Sequence, residues 1–237
     1  MSLDQRAIVD LHSHSSASFD SLSNPVSLAR SAAARGVTHL AITDHDRVDG
    51  AKRARDAQVP GITIIVGSEV RTQAGDMIAL FIDQPIQVGL PPAEAIASIR
   101  AQGGLVGIPH PFDAWRGSLL LDDRFLELLS LVDFMEGWNA RLVAPGGNQR
   151  AAELAVRRGI PSVASSDAHS IIEIGNAASI LTGDPSTPAG LRAALALPHE
   201  LITGRGSFVA RAIMPAVKLI NAARGNRRIR PGSTFGA

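Results

Sequence analysis

Short apolar runs alternating with helix-patterned stretches predict a parallel α/β fold closed into a barrel. Two further observations support the barrel. About seven or eight of the runs have strand length, a number that suits closure. Five of the seven histidines follow directly on such runs, and strand ends on one rim of an α/β barrel are where side chains from distant parts of a chain converge.

Taken in order, Ile8–Leu11 reads as the first strand. A helix over Pro25–Arg35 follows, with Asn24 as its N-cap, Pro25 in its first turn and Gly36 past its end. His39–Thr43 is the second strand and Asp49–Gln58 a short helix stopped before Pro60. Thr63–Gly67 and Met77–Ile82 are strands with a turn at Gln73–Asp76, too close together for a helical crossover and so antiparallel candidates. Pro92–Gln102 is a helix ended by Gly103 and Gly104, and Leu105–Ile108 the next strand. Asp122–Ser130 reads as a helix, Asp133–Glu136 as a strand and Gly147–Arg158 as a helix closed by Gly159. Ser162–Ser165 and Ala177–Leu181 are the last strands, and Thr187–Ala196 the last helix of the body. Gly225–Ala237, rich in Gly, Arg and Pro, reads as a loose tail.

Composition removes several kinds of chemistry. The 237 residues contain no Cys and no Tyr, which excludes disulfides, thiolate ligands, cysteine nucleophiles and phenolic acids. Hydrophobic residues make up 45% and mean hydropathy is only +0.13. The longest apolar runs are far too short to span a bilayer, so no membrane partner is expected, and without an evident signal peptide the cytoplasm is the default compartment. The net charge of +1 is unevenly placed. From Leu201 onward the chain carries Arg205, Arg211, Lys218, Arg224, Arg227, Arg228 and Arg230 and no acid, which leaves the body net acidic. Such a tail binds a polyanion such as nucleic acid or packs on its own acidic body.

Each histidine motif has a plain explanation when taken singly. His12 and His14 form H-x-H, two imidazoles on one face of an extended strand. Asp20, in a Ser-rich loop, has the character of a turn residue, and Asp44-His45-Asp46 that of a helix-cap cluster. Glu69 follows a strand and Asp76 opens one, both positions where carboxylates are commonly solvated. His110 is restricted by a proline on each side. Asp167 and His169 again share a face at a strand end. Those explanations do not hold for all of the motifs together, because imidazoles and carboxylates are the ligand set of a borderline divalent metal, and five histidines with at least three acids exceed one mononuclear site. His39 begins its strand and belongs at the opposite rim, and His199 follows the last helix; both read as structural.

In order, Asp-Leu-His12-Ser-His14-Ser, Ala-Ile-Thr-Asp44-His45-Asp46, Gly-Ser-Glu69-Val, Pro-His110-Pro and Ser-Asp167-Ala-His169 resemble the motifs of the PHP (polymerase and histidinol phosphatase) superfamily, over about residues 8–182. The chain looks most similar to the small stand-alone bacterial phosphoesterases of that group. The resemblance implies a distorted (β/α)7 barrel over residues 1–205, followed by a basic extension, partly helical or loose, over 206–237. It implies His12, His14, His45, Glu69, His110, Asp167 and His169 as metal ligands, with Asp20 as the acid that follows the H-x-H motif. Where the family often has a histidine after the Glu motif, this chain has Gly75-Asp76-Met77. Asp76 is therefore the candidate ligand there, and two or three divalent ions (zinc, manganese or iron) are expected. Asp167, His169 and Asp44 are the catalytic candidates. Arg116, Asn139 and Arg141 are candidates for holding substrate, since guanidinium binds phosphate oxygens bidentately.

The reaction this implies is hydrolysis of a phosphoester by a metal-bound hydroxide attacking phosphorus in line. The substrate would be a small phosphate monoester, a nucleotide or an oligonucleotide end. Two other readings compete. Amidohydrolase-type barrels gather the same ligands to cleave C–N bonds, commonly with a bridging lysine, but Lys52 and Lys218 are the only lysines here and neither ends a strand. A non-catalytic, metal-stabilised module that binds a nucleotide or a partner is the other.

Overall fold

A computed structural model describes residues 6–113, 116–119 and 123–236 of the chain. The first five residues of the expected barrel domain, Asp122 of the expected fourth helix and Ala237 lie outside the described residues.

Three parallel strands start the sheet: β1 (Arg6–Asp10), β2 (His39–Ile42) and β3 (Thr63–Arg71). β4 (Asp76–Leu80) follows β3 through a turn and runs antiparallel to both β3 and β5 (Leu105–Ile108). Parallel pairing resumes through β6 (Phe134–Asn139) and β7 (Ser162–Ser165). β8 (Ala177–Thr182) then pairs antiparallel with β1, and β9 (Glu200–Thr203) with β8. The order is β7-β6-β5-β4-β3-β2-β1-β8-β9.

The ends of this sheet meet, which makes it a nearly closed barrel. Closure runs through point contacts in place of a full ladder. Ser13 bridges Ala168, and the His14 N–H donates to the Ala168 carbonyl at 2.8 Å. Lower down, the Ala164 N–H of β7 donates to Ser179 Oγ of β8 at 2.9 Å. The loops after β1 and β7, which carry the H-x-H and D-x-H motifs, are thus tied at the closure.

Residues of alternate parity face two separate cores, as the pleat requires. Val9, Leu11, Ala41, Ile65, Ile78, Leu80, Leu105, Phe134 and Val163 pack together, with Leu191, Ala194 and Leu195 of helix α5 (Pro188–Leu195) closing that cluster. Leu40, Ile42, Val66, Met77, Ala79 and Val106 point the other way. They are covered by α1 (Pro25–Ala34), α2 (Asp49–Asp56) and α3 (Pro92–Ala101), while α4 (Gly147–Arg158) packs on β6. α1 begins as its sequence predicts: Asn24 Oδ1 accepts the N–H groups of Val26 and Ser27 at 3.0 and 3.2 Å, with Pro25 in the first turn.

Three expectations need correction. The sheet has nine strands where the family pattern implies seven, because β8 and β9 extend it beyond β1. The helix expected from Asp122 is a 3-10 helix over Asp123–Leu131. Over nine residues the apolar spacing does not separate a three-residue period from one of 3.6. The stretch expected to be a loose tail is irregular but held. The Gly232 N–H donates to the Val88 carbonyl at 2.7 Å and the Val88 N–H to the Ser233 carbonyl at 2.9 Å. Before it, α6 (Phe208–Ala212) and α7 (Met214–Ala223) bring the basic segment back over the barrel rim.

Packing inside the barrel is close where β5 meets β6. A Cβ on Gly107 would stand 2.2 Å from the ring of Phe134, which is fully buried. Gly107→Ala is expected to lower stability by about 1–3 kcal/mol in urea denaturation. Combining it with Phe134→Leu should cost less than the sum of the two single changes.

Candidate metal centre

The motifs converge on the rim formed by the C-terminal ends of the parallel strands. His12 and His14 follow β1, His45 follows β2, His110 follows β5, and Asp167 and His169 follow β7. Glu69 lies within β3. Asp76 is the first residue of β4, and because that strand is antiparallel its N-terminal end reaches the same rim.

Glu69 is the hub. Its Oε1 lies 2.9 Å from His110 Nε2, and its Oε2 lies 3.1 Å from His45 Nδ1 and 3.4 Å from Nε2 of both His12 and His14. One buried carboxylate therefore touches four imidazoles. Burial opposes its charge, but His45 and His12 outweigh that and hold its pKa well below the usual range.

Two sets of side chains place all their ligating atoms within 4.8 Å of one another: His14, Asp20, His45 and His169, and His12, His14 and Asp167. His14 belongs to both. His12 Nδ1 stands 2.9 Å from Glu136 Oε1, a partner that holds a proton on Nδ1 and turns Nε2 toward His14 Nε2 at 3.0 Å. His169 is set in the same way, with Nδ1 at 2.9 Å from the Asp167 carbonyl and Nε2 at 3.5 Å from Asp20 Oδ2. Burial, with His14 and Arg141 nearby, pushes the His169 pKa down to about 4, so its ring is neutral.

Charge and hydrogen bonding both fit a cation. Asp20, Glu69, Glu136 and Asp167 are all buried. Burial works against protonation of His12, yet Asp167, Glu136 and Glu69 pull its pKa well above the ordinary value. Nδ1 of His14 and Nδ1 of His110 are buried without a hydrogen-bond partner, a state that is costly for a polar atom unless another ligand meets it. A donor set of imidazole nitrogens and carboxylate oxygens suits zinc, manganese or iron.

The backbone is bent to make this arrangement. His110 and Asp167 have positive φ, +27° and +49°, as does Asp46 at +59°; non-glycine residues seldom adopt this region, and it clusters at functional sites. In β6 the register slips between Glu136 and Trp138. Residues three apart on a regular strand face opposite ways, and the bulge resets the alternation. Glu136 and Asn139 thereby meet, Asn139 Nδ2 donating to Glu136 Oε2 at 2.8 Å.

Arg116 and Arg141 stand beside the ligands, in the wall of one cavity of about 450 Å³ that also holds Asp20, His45, Glu69, Asp76, His110, Asp167 and His169. Arg116 bonds Asp113 at 2.7 Å, Asn139 Oδ1 at 3.2 Å and Asp167. Despite burial, Asp167 and Asp113 push its pKa further up, so it stays charged. Arg141 is fixed by Glu173 at 3.0 and 3.1 Å. Asn139 is buried and reaches the cavity only through Arg116 and Asp167.

Two expected site residues stand apart. Asp44 is fully buried beneath the rim, accepting the Ser15 N–H at 2.6 Å and Ser15 Oγ at 2.7 Å. Its other neighbour is Gly50 in the first turn of α2, where a Cβ would stand 2.1 Å from Oδ2. This makes Asp44 a brace for the H-x-H loop and corrects its expected catalytic role. Asp76 does line the cavity, but it belongs to neither tight ligand set. Burial and the nearby Glu69 raise its pKa to about 7, and Arg228 approaches it at 3.7 Å.

Several further residues contribute that were not among the expected site residues. Asp10, fully buried, accepts the N–H groups of Ser166 and Gly175 at 3.0 and 3.2 Å and so ties β1 to the loops after β7. Glu136 aligns His12 and accepts the His110 N–H at 2.6 Å. Glu173 joins Arg141, the His169 N–H at 3.2 Å and the Ser207 N–H at 3.0 Å. Met214, Lys218 and Arg228 bring the C-terminal segment into the cavity wall. His39, as its position predicts, is remote: it sits at the start of β2 with Nε2 at 3.0 Å from Ser186 Oγ. His199 bonds the Ser162 carbonyl at the start of β7.

Because the two ligand sets share His14, removing it should affect both. Elemental analysis of protein reconstituted with zinc or manganese is expected to find His14→Ala depleted at both positions, and Asp20→Ala depleted at one. Metal at a hundred-fold excess over its dissociation constant should stabilise the chelated wild type by about 2.7 kcal/mol per site, read as a rise in melting temperature.

Residues 10–138, more than half of the chain, match the PHP domain, and residues 145–197 match the PHP-associated family. An uncharacterized protein of Methanocaldococcus jannaschii is 35% identical over 172 residues, 71% of this chain and 68% of that protein. Among solved structures, a two-domain protein from Bacteroides vulgatus containing a predicted PHP-like metal-dependent phosphoesterase aligns with a TM-score of 0.70 at 20% identity, covering 86% of this chain and 66% of that one. A lesion-specific endonuclease from Pyrococcus furiosus aligns with a TM-score of 0.65 at 14% identity, covering 97% of this chain and 74% of that one. At such identities the likeness to solved structures is one of fold, while the matched domain and the archaeal relative settle the lineage: the chain belongs to the PHP domain family.

Proposed function

We propose that the protein hydrolyses phosphoesters at a metal centre held by His12, His14, Asp20, His45, Glu69, His110, Asp167 and His169. The observation that carries this reading is the juxtaposition of two ligand sets sharing His14, of which Asp20, His45, Asp167 and His169 line one cavity, with two arginines in the same wall fixed by carboxylates. Divalent ions bound there would supply Lewis-acid activation of both the phosphoryl group and the attacking water.

The chain's own groups complete the arrangement. Arg116 and Arg141 present charged guanidinium groups to a transferring phosphoryl, where its negative charge grows. Asp113 and Glu173 hold the two arginines in place, so little reorganisation is needed as that charge develops. Asn139 orients Asp167 and Arg116 together, through bonds of 3.1 and 3.2 Å. His169 keeps its Nδ1 proton on the Asp167 carbonyl, which leaves Nε2 available toward the cavity.

The cavity volume falls within the range of about 300–1,000 Å³ usual for small-ligand sites. Arg71, Lys218 and Arg228 add positive charge to its wall, which suits a nucleotide or an oligonucleotide end over a neutral ester. The fold likeness to a PHP-like phosphoesterase and to a lesion-specific endonuclease agrees with this substrate range. Neither lysine stands as a bridging ligand for C–N hydrolysis, although Lys218 lines the cavity. Lys52 is paired with Asp83 at 3.0 Å, and Lys218 Nζ stands 5.4 Å from the Phe19 ring.

Release of the aryl alcohol from aryl monoesters and aryl diesters, and cleavage of 5′-phosphorylated dinucleotides, with and without Mn²⁺, test the reading. Metal-stimulated hydrolysis of at least one class is expected. Asp167→Asn should lower kcat by about a hundred-fold or more, and Arg116→Ala by about ten- to a hundred-fold. Metal-loaded protein inactive on all three classes would contradict the proposal.

A further inference from the structure

The loop that carries Asp20 into the metal centre is held from the far end of the chain. Asn221, on α7 and 2% exposed, points its side-chain Nδ2 at the carbonyls of Ser18, Phe19 and Ser21, at 3.4, 3.1 and 2.9 Å. Asn226 does the same to Ser16, Ala17 and Ser18, at 3.2, 3.1 and 3.1 Å. Two amide groups thus hold five loop carbonyls.

Asn226 is itself fixed. Its backbone N–H donates to the Asn221 carbonyl at 2.9 Å, and its Oδ1 accepts from Arg47 Nη1 at 3.1 Å. Arg47 is paired twice with Asp49 and lies 3.8 Å from the centre of the Phe235 ring. Both asparagines therefore face the loop with their donors. An aspartate of the same shape would set lone pairs against those oxygens.

Only a short path separates this clasp from the ligands. Ser18, whose carbonyl both asparagines hold, donates from Oγ to Asp20 Oδ1 at 2.7 Å. The other oxygen, Asp20 Oδ2, lies 3.2 Å from His45 Nε2 and 3.5 Å from His169 Nε2. We propose that Asn221 and Asn226 are positioning residues of the metal centre. By holding the carbonyls of the Ser16–Ser21 loop they set the Asp20 carboxylate, and so couple cation binding at Asp20, His45 and His169 to docking of the C-terminal segment. Linkage makes the coupling reciprocal: a cation bound there tightens the docked segment by the factor that docking tightens the cation. The inference rests on the metal-centre part of the proposed function and is independent of which ester is cleaved.

Cobalt(II) titration of the full chain, followed by visible absorption and chelator competition, tests this in wild type, Asn226→Asp, Asn221→Asp and Asp20→Asn. Amide hydrogen exchange over residues 226–234 is the second readout. In the wild type two ions are expected, with exchange slowed by loading. In Asn226→Asp one ion should bind about ten- to a hundred-fold more weakly, with the absorption change seen in Asp20→Asn. The ion at His12 and Asp167 should keep its affinity, and loading should no longer slow exchange in the tail. Asn226→Ala, which removes the donors without adding charge, should act in the same direction and serves if an aspartate variant does not fold. A folded variant that binds both ions with wild-type affinity and spectrum would overturn the inference. A wild type that binds no cobalt would overturn it together with the metal centre, whereas inactivity of a loaded wild type bears on the phosphoester reading alone.

Discussion

The Glu69 carboxylate is the constraint around which the rim is built. A buried carboxylate needs compensating charge, and in this fold it receives four imidazoles from three loops. Those imidazoles bring further carboxylates with them: Glu136 behind His12, Asp20 beside His45, and Asp167 between His12 and His14. The result is a dense, alternating cluster of acids and rings, some of whose nitrogens have no hydrogen-bond partner. Such a cluster is unstable as an apolar core and satisfied as a ligand cage.

Holding that cage requires the backbone to depart from regular geometry at the rim. The barrel below is ordinary, with strand residues alternating between two apolar cores. Above it lie left-handed residues at His110 and Asp167 and a bulge in β6. Their cost is met by contacts made elsewhere. Asp10 holds the backbone after β7, Glu136 holds the His110 N–H, and Glu173 holds the His169 N–H. The two arginines of the cavity wall are bound into the same network through Asp113, Asn139 and Glu173.

Much of this was legible in the sequence, for a physical reason. Ligands at strand ends announce themselves because a titratable residue directly after an apolar run is unusual, and several such runs must share a rim once the fold is a barrel. What a strand end does not reveal is which of three consecutive polar residues turns inward. In Asp44-His45-Asp46 the histidine does, while Asp44 turns beneath the rim to Ser15. The meeting of Glu136 with Asn139 was obscured by the bulge, since a spacing of three reads as opposite faces. The clasp made by Asn221 and Asn226 was hidden by distance along the chain: Asn221 meets Ser18 from 203 positions away. The tail's basic charge was plain, but its packing depends on contacts no local pattern encodes.

The central claim is that this cluster of rings and acids is a cage for divalent cations arranged about Glu69. Anomalous diffraction from crystals grown with zinc or manganese, collected on both sides of the metal absorption edge, tests it most directly. The account predicts two peaks flanking Glu69, one among His12, His14 and Asp167 and the other among Asp20, His45 and His169. An ordered rim with neither peak at saturating metal would contradict it.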